Sequence, residues 1–192
     1  MTFTGGQDPL LAELAAATSA APPDAAAWRE WLADEATRGR FAALTYRRGP
    51  GRCAYWLGAI SSTGHGKFRA GSRAQGAGAE SRIVSAHVFA FQLEHGVFPD
   101  ELAARLVVRH RCDEASCVAG ECLISGTQPE NVSDYQARRL TPGPLTDRRG
   151  SQGRAIAIRD AIRTALRAGT DPEAALAAAI ADGAAGYQEP LF

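Results

Sequence analysis

Residues 107–131 decide the fold of this chain and read V-V-R-H-R-C-D-E-A-S-C-V-A-G-E-C-L-I-S-G-T-Q-P-E-N. The apolar residues 106–108 predict a short strand that ends close to His110. The stretch Leu123-Ile124-Ser125 predicts a second strand, which returns beside the first. Three cysteines lie between the two strands. The stretch therefore predicts a β-hairpin whose turn is rich in cysteine.

A helix is expected directly after this hairpin. Thr127 and Glu130 have the spacing of a capping box, in which each side chain bonds the backbone amide of the other residue. Pro129 is tolerated in the first helical turn, so the helix is expected to run from about 128 to 139.

All four cysteines of the chain fit one pattern, because Cys112, Cys117 and Cys122 are evenly spaced and Cys53 lies upstream beside a predicted strand pair. A tetrahedral structural zinc site takes four such ligands. A cysteine cluster more often holds a metal than forms disulfides where thiols stay reduced. We therefore expect a structural zinc ion on these four residues. A catalytic zinc ion is less favoured, since four thiolates leave no open position, and the alternative is a set of separate buried thiols.

Upstream of the hairpin, the aromatic and aliphatic residues of 53–68 are broken by glycines and predict two short strands joined by a turn. The Gly-, Ala- and Ser-rich stretch 69–80 predicts a mobile loop. Ser85 is expected to cap a helix that reaches His95 and ends at Gly96.

Helices are expected at both ends of the chain, giving an N-terminal accessory segment (1–50), a central domain (51–140) and a linker with a C-terminal helical hairpin (141–192). Residues 9–44 read as one or two helices, with apolar residues that include Trp28 and Trp31 at helical spacing.

The C-terminal hairpin is predicted to carry one basic and one apolar face. Its first helix, about 154–168, has a basic face of Arg159, Arg163 and Arg167 and an apolar stripe of Ile158, Ile162 and Leu166. Thr170 and Glu173, with Pro172 between them, are expected to open a second helix that ends at Gly183. This stripe, continued by Leu176 and Ile180, is expected to pair with a second copy or to pack on its own domain.

The net charge is zero, with 21 Lys plus Arg against 21 Asp plus Glu, which argues mildly against a nonspecific polyanion binder. Eight arginines against two aspartates over 138–167 nevertheless make that stretch basic. Every cation except Lys67 is arginine, a bias that suits phosphate recognition but also follows from a GC-rich genome. No apolar run approaches the roughly 20 residues that span a bilayer, and the first thirty residues lack a basic start. We expect a soluble, cytoplasmic protein without membrane association.

The stretch 107–131 resembles the core of the HNH, or His-Me finger, endonucleases. Three upstream motifs match the same family in order and rough spacing: C-A-Y-W-L-G-A-I at 53–60, G-H-G-K-F at 64–68 and S-A-H-V-F-A at 85–90. The resemblance covers about 53–139. It implies an α+β fold with a ββα-metal core, a structural zinc site, and hydrolysis of phosphodiester bonds in DNA.

The resemblance also implies the catalytic residues. His110 corresponds to the general base that takes a proton from the attacking water, and Asn131 to the ligand of one catalytic Mg²⁺ or similar ion. An arginine that clamps the phosphate is usual in the family, and we expect Arg73 or, second, Arg69. Each role has a structural alternative. His110 can be a structural histidine whose hydrogen bonds are made within the cysteine-rich turn, and Asn131 can be a polar residue that only starts the helix.

The sequence departs from the family pattern at two residue types and at one missing proline. The third zinc ligand of the turn is Cys122, where the family commonly has histidine, and zinc accepts either residue. The proline that often precedes this ligand in the family is absent here. The usual His-Arg pair of the helix is His87-Val88, so His87 is expected to be structural more often than part of the site. We assign no chemistry to His65 and His95, which are expected at a turn and a helix end.

Duplex DNA is the expected partner, contacted by Lys67, Arg69 and the basic face of the hairpin, and a homodimer is expected if both strands are cut. The main alternative is a zinc-stabilised DNA-binding module without catalysis. A structural assembly protein that uses its terminal helices is a further class. The biological role, whether restriction, homing or a phage function, is not readable from these residues.

Overall fold

The computed structural model describes residues 23–71, 81–103 and 105–184, which form a mixed structure of helices and small antiparallel sheets. The predicted α+β class is thereby confirmed. Parts of two predictions lie outside the described residues, namely the helix before residue 23 and the loop over 72–80.

The described residues of the N-terminal half, 23–71 and 81–95, contain two helices, five short strands and a third helix. They are α1 (Ala25–Ala33), α2 (Glu35–Ala43), β1 (Thr45–Tyr46), β2 (Tyr55–Trp56), β3 (Ala59–Ile60), β4 (Gly66–Ala70), β5 (Arg82–Ser85) and α3 (Ala86–His95). Strands β1 and β2 pair with each other, and β3, β4 and β5 form an antiparallel sheet in that order. The predicted strand pair and the helix that ends at Gly96 are confirmed, although the Ser85 side chain makes no capping bond.

Between residues 96 and 184, the described part of the C-terminal half contains one hairpin of strands and four helices, joined in places by single 3-10 turns. The helices and strands are α4 (Asp100–Ala103), β6 (Val107–His110), β7 (Leu123–Gly126), α5 (Gln128–Arg138), α6 (Gly150–Ala168) and α7 (Pro172–Ala184). Strand β6 pairs antiparallel with β7, so that His110 lies opposite Leu123. The capping box of α5 is present with both of its bonds. The predicted order of strand, turn, strand and helix is confirmed.

An aromatic core lies on one side of the sheet formed by β3, β4 and β5. Strand β4 alternates strictly, so Phe68 points inward while Lys67 and Arg69 point outward. Helices α1, α2 and α3 cover the inner face with aromatic side chains. The aromatic residues of this core are Trp28, Trp31, Phe41, Trp56, Phe68, Phe89 and Phe91. The outer face of the sheet therefore lies away from this core.

The C-terminal helices pack on a second apolar cluster. Ile158 and Ile162 of α6 and Leu176 of α7 are buried against Tyr55 and Leu57. The stripe that was predicted to pair with a second copy or pack on its own domain thus packs on its own domain.

Three predictions about the C-terminal helices are wrong. Leu166 is 50% exposed and does not belong to the packed stripe. Helix α6 begins at Gly150 instead of about 154. Thr170 and Glu173 form no capping box, because the Glu173 amide donates to Asp171 Oδ1 and the Glu173 carboxylate accepts hydrogen bonds from elsewhere. None of the helices within the described ranges is long and apolar enough to cross a bilayer.

Candidate functional site

The four cysteines lie together at one end of the β6–β7 hairpin. The Sγ atoms of Cys53, Cys112, Cys117 and Cys122 are all within 4.8 Å of one another. Cys117 is buried, the other three are half-buried, and none of the four forms a disulfide. The cluster can therefore bind a metal ion such as zinc.

Backbone pairing between distant segments brings Cys53 to the other three cysteines. The Trp56 amide donates to the Ser116 carbonyl at 3.0 Å, and the Val118 amide donates to the Ala54 carbonyl at 2.8 Å. These bonds join the cysteine-rich turn to the strand that follows Cys53. The turn is thus held to the N-terminal half of the molecule by hydrogen bonds as well as by the cluster.

The donor set fits zinc. Four thiolates in a tetrahedron with Zn–S bonds of about 2.3 Å place their sulfur atoms about 3.8 Å apart, which is compatible with the spacing of the cluster. Hydrogen bonds from the thiols of Cys112 and Cys117 lower the pKa of Cys53, which favours the thiolate form that binds metal. A cluster that already favours a thiolate is prepared for a cation.

Beside the cysteine cluster, a cavity of about 450 Å³ opens between the sheets, α5 and the start of α6. Three histidines and the predicted metal ligand line it together: His65, His87, His110 and Asn131. The rings of His65 and His110 lie 5.6 Å apart between centroids, and His87 lies 4.5 Å from the first and 5.0 Å from the second. The predicted pair of His110 and Asn131 therefore shares one cavity.

The hydrogen bond of His110 determines which ring nitrogen can act as a base. His110 Nε2 lies 3.0 Å from the carbonyl oxygen of Cys117. A carbonyl only accepts, so Nε2 carries the hydrogen and the neutral ring keeps its lone pair on Nδ1. Burial lowers the pKa of His110, which favours this neutral form. The Nδ1 atom is thus chemically suited to accept a proton.

His65 reaches the cavity because a tight turn between β3 and β4 orients its ring. His65 Nδ1 lies 2.9 Å from the Thr63 hydroxyl, which contacts the Ser61 hydroxyl at the same distance. The turn needs glycine at Gly64, whose φ is +85° and where a Cβ atom would lie 2.6 Å from the carbonyl oxygen of Ser151. The close approach fixes the turn against the first turn of α6.

His87 forms a triangle with the other two rings and is almost fully buried, with 8% of its surface exposed. Its Nδ1 atom is buried without a hydrogen-bond partner among the described residues. Burial, followed by the neighbouring His110 and His65, lowers the pKa of His87 well below its ordinary value. The ring is therefore neutral and packs against the other two histidines.

Sequence reasoning missed the convergence of these three histidines. His65 was assigned no chemistry, yet its ring lines the cavity beside His110. The flanking glycines of G-H-G were the available signal, since they indicate a close backbone approach at this turn. His95 lies outside the cavity, with Nε2 3.2 Å from the Gly120 carbonyl oxygen, as expected for a residue at a helix end.

Helix α5, which carries Asn131, has no buried residue. Charged contacts hold it in place instead. Asp134 accepts a hydrogen bond from Arg109 of β6 at 2.6 Å, and Arg138 pairs with Asp113 of the cysteine-rich turn at 3.0 Å. These contacts join α5 to the strand and to the turn on either side of His110, so they determine where Asn131 lies.

A second charged network joins the cysteine-rich turn to the C-terminal helices. Arg154 Nε donates to Glu114 at 2.7 Å, and its Nη1 donates to Asp147 at 3.2 Å. All three side chains are buried. Sequence reasoning had not singled out these residues, because a buried charge cannot be distinguished from a surface charge by its residue type.

The candidate DNA-binding residues fall in three places. Arg159 and Arg163 of α6 donate to the carbonyl oxygens of Gly58 and Leu57 on their own domain, at 3.5 and 3.1 Å. Arg167 is exposed at the end of α6. Lys67 and Arg69 project from the outer face of β4, and Arg73 lies outside the described residues. One guanidinium nitrogen of Arg159 and one of Arg163 thus donate to the protein backbone, while Arg163 as a residue is exposed.

No family model, no curated protein and no solved structure matches this chain.

Proposed function

We propose that the protein is a metal-dependent endonuclease of the HNH type, which hydrolyses phosphodiester bonds of DNA. The observation that carries the proposal is the cavity shared by His110 and Asn131, beside a four-cysteine cluster. The elements around it follow the order of a ββα-metal core, with β6, β7 and α5 as its parts.

His110 acts as the general base in this proposal. Its Nδ1 lone pair takes a proton from a water molecule, whose oxygen attacks the phosphorus atom while the bond to the 3′-oxygen breaks. The carbonyl of Cys117 keeps the hydrogen on Nε2 and so holds the ring in the tautomer that this step needs. The rings of His87 and His65 lie near that of His110, with centroids 5.0 and 5.6 Å away.

The carboxylates of Asp113 and Asp134 also line the cavity but pair with Arg138 and Arg109, so Asn131 is the residue that would offer an oxygen to a Mg²⁺ ion. Oxygen donors of this kind are those that Mg²⁺ prefers. When bound, the ion supplies positive charge that neutralises the charge developing on the phosphate and the leaving oxygen. The arginine that clamps the phosphate stays assigned to Arg73 or Arg69.

The competing function is a zinc-stabilised DNA-binding module without catalysis. Such a module would use the cysteine cluster as a scaffold. It would have no use for a basic nitrogen aimed at a cavity beside an amide side chain, which is why we favour the nuclease.

Cleavage of supercoiled plasmid DNA by the zinc-loaded full chain tests the proposal. We expect Mg²⁺-dependent cleavage that His110→Ala abolishes while zinc content and fold are retained. His95→Ala, a histidine outside the cavity, is the matched control and should cleave like the unchanged protein. Cleavage by His110→Ala at the unchanged rate would refute the mechanism.

The form of the cut plasmid also reports on assembly. One such site cuts one strand, so a monomer should yield nicked circles first, whereas a homodimer with two sites should yield linear DNA directly. The apolar stripe of the C-terminal hairpin is packed on its own domain, so a dimer would need another surface.

A further inference from the structure

We propose that His65 is a second catalytic histidine, whose Nε2–H group donates a hydrogen bond to a nonbridging oxygen of the phosphate that is cut. The expectation from the sequence assigned no chemistry to this residue. The inference rests on the proposed nuclease function and deepens it, because it adds a contact between the protein and the reacting phosphate.

The turn between β3 and β4 determines which nitrogen of His65 is available to a substrate. The Ser61 amide donates to the His65 carbonyl at 2.8 Å, and the His65 amide donates to Ser61 Oγ at 3.1 Å. Within this turn, His65 Nδ1 lies 2.9 Å from the Thr63 hydroxyl. The described residues provide no hydrogen-bond partner for Nε2. A molecule in the cavity can therefore bond to the ring through Nε2.

The two hydroxyl groups of the turn allow Nε2 to carry the hydrogen. Ser61 Oγ and Thr63 Oγ1 lie 2.9 Å apart, and each hydroxyl can donate or accept. When Ser61 donates to Thr63 and Thr63 donates to Nδ1, the hydrogen of the neutral ring is on Nε2. Burial lowers the pKa of His65, which favours the neutral ring with its single N–H group. A phosphate oxygen only accepts, so it selects this direction of the hydrogen bonds.

The backbone on both sides of His65 is closely packed, which fixes the position of the ring. A Cβ atom at Gly64 would lie 2.6 Å from the carbonyl oxygen of Ser151, and one at Gly66 would lie 2.5 Å from the indole ring of Trp56. The turn is therefore held against α6 on one side and against the aromatic core on the other. A donor held in this way needs no rearrangement when charge develops on a substrate.

The position of His65 relative to the proposed base suits a phosphate contact. Its ring centroid lies 5.6 Å from that of His110, and both residues line the same cavity. An attacking water lies about 3–3.5 Å from the phosphorus atom, so a donor to the phosphate must lie close to the base. Other donors of the cavity are used within the protein, since His110 Nε2 bonds to the Cys117 carbonyl and Arg138 pairs with Asp113.

The expected role of this hydrogen bond is electrostatic. Negative charge spreads over the nonbridging oxygens of the phosphate as the water attacks. A hydrogen bond to one of these oxygens stabilises the transition state. Removal of one such donor typically slows a reaction by about 100- to 1000-fold. His65 itself transfers no proton in this step.

Two amide variants separate the two nitrogens of the ring. His65→Asn places an amide group near the position of Nδ1, where it can still bond to Thr63, but it lacks the donor in the cavity. His65→Gln is longer and places an amide nitrogen near the position of Nε2. The measurement is single-turnover cleavage of supercoiled plasmid by the zinc-loaded full chain at saturating protein and Mg²⁺, so that the rate reports on chemistry.

We expect His65→Asn to cleave about 100-fold more slowly and His65→Gln to stay within about tenfold of the unchanged protein. His65→Ala, which removes both nitrogens, should be at least as slow as His65→Asn. Zinc content and affinity for a short duplex without Mg²⁺ should stay close to those of the unchanged protein in all three variants. A role of His65 in the turn alone predicts the opposite order, with His65→Asn the more active amide variant.

His95→Asn and His95→Gln are the matched controls, because His95 lies outside the cavity, and both should cleave at the unchanged rate. An unchanged rate for His65→Asn or His65→Ala would overturn the phosphate contact, and so would a His65→Gln protein as slow as His65→Asn. Each of these results would leave the nuclease proposal intact. Failure of the unchanged protein to cleave would instead refute the nuclease proposal.

Discussion

The ring of His87 lies 5.0 Å from that of His110 between centroids, at an angle of 46°, and its buried Nδ1 atom bonds to none of the described residues. A buried nitrogen without a hydrogen-bond partner lowers stability, by about 1–3 kcal/mol. The contribution of His87 is therefore the volume and shape of its ring, which supports the ring of His110 from behind.

We expect His87→Phe to retain the fold and the Mg²⁺-dependent cleavage, because phenylalanine keeps an aromatic ring of similar size at this position. His87→Ala should lose about 2 kcal/mol or more of stability, since a cavity opens behind His110, and its cleavage should fall as well. Thermal unfolding and plasmid cleavage of both variants check this. Inactive but stable His87→Phe protein would show that the imidazole has a chemical role.

The contact between Asp134 and Arg109 should govern the affinity for Mg²⁺. Helix α5 has no buried side chain, so its charged contacts hold Asn131 in register with His110. Loss of an interaction that orients a metal ligand costs about tenfold in metal affinity or more. Asp134→Asn should therefore raise the Mg²⁺ concentration for half-maximal cleavage by about tenfold, measured at saturating DNA.

Asp160→Asn is the control for this prediction, because Asp160 also pairs with an arginine but lies on α6 away from the cavity. It should leave the Mg²⁺ dependence unchanged. A uniform loss of rate in Asp134→Asn at every Mg²⁺ concentration would mean that the contact acts on something other than the metal site.

We expect about one tightly held zinc ion per chain. Metal binding at such clusters is worth on the order of 10 kcal/mol at neutral pH, comparable to the stability of a whole domain. Cys112→Ser and Cys117→Ser should therefore give unfolded or insoluble protein. Elemental analysis of the purified chain gives the metal content.

Asp113 lies in the same turn as these cysteines, and Asp113→Gly serves as the comparison variant. Asp113 has a φ of +56°, which glycine adopts without strain, and it is not a cysteine ligand. This variant should keep its zinc. Folded protein that contains no metal would refute the assignment of the four cysteines.

Removal of Arg154 should destabilise the fold more than removal of a surface arginine. Arg154→Met leaves Glu114 buried without its cation, whereas Asp147 keeps its pair with Arg149. Breaking a buried pair in this way costs about 3–5 kcal/mol. Arg148 pairs with Asp182, and both side chains are more than half exposed. Arg148→Met should therefore lower the free energy of unfolding by less than about 1 kcal/mol. Urea unfolding of the zinc-bound variants measures both values, and equal losses would contradict the structural role of the buried network.

The sequence by itself determined the local elements around the site. The strands at His110 and Leu123, the capping box of Thr127 and Glu130, and the helix after them were all predictable. Each of these depends on residues a few positions apart, through hydrogen bonds and side-chain alternation that a short stretch fully specifies. The cysteines were predictable as a group because their residue type is rare and their spacing regular.

Only the tertiary structure decided which distant side chains meet. His65 and His87 join His110 through the packing of a turn, a helix and a strand that are separated by about twenty residues each. Of the α6 arginines that were predicted to contact DNA, Arg159 and Arg163 each donate a hydrogen bond to the backbone that α6 packs against, while Arg154 of the same helix is buried. Residue type and helical spacing are the same for an arginine that faces solvent and for one that faces the protein. The docking of α6 on Tyr55 and Leu57, which arises from apolar burial over a long sequence separation, makes that distinction.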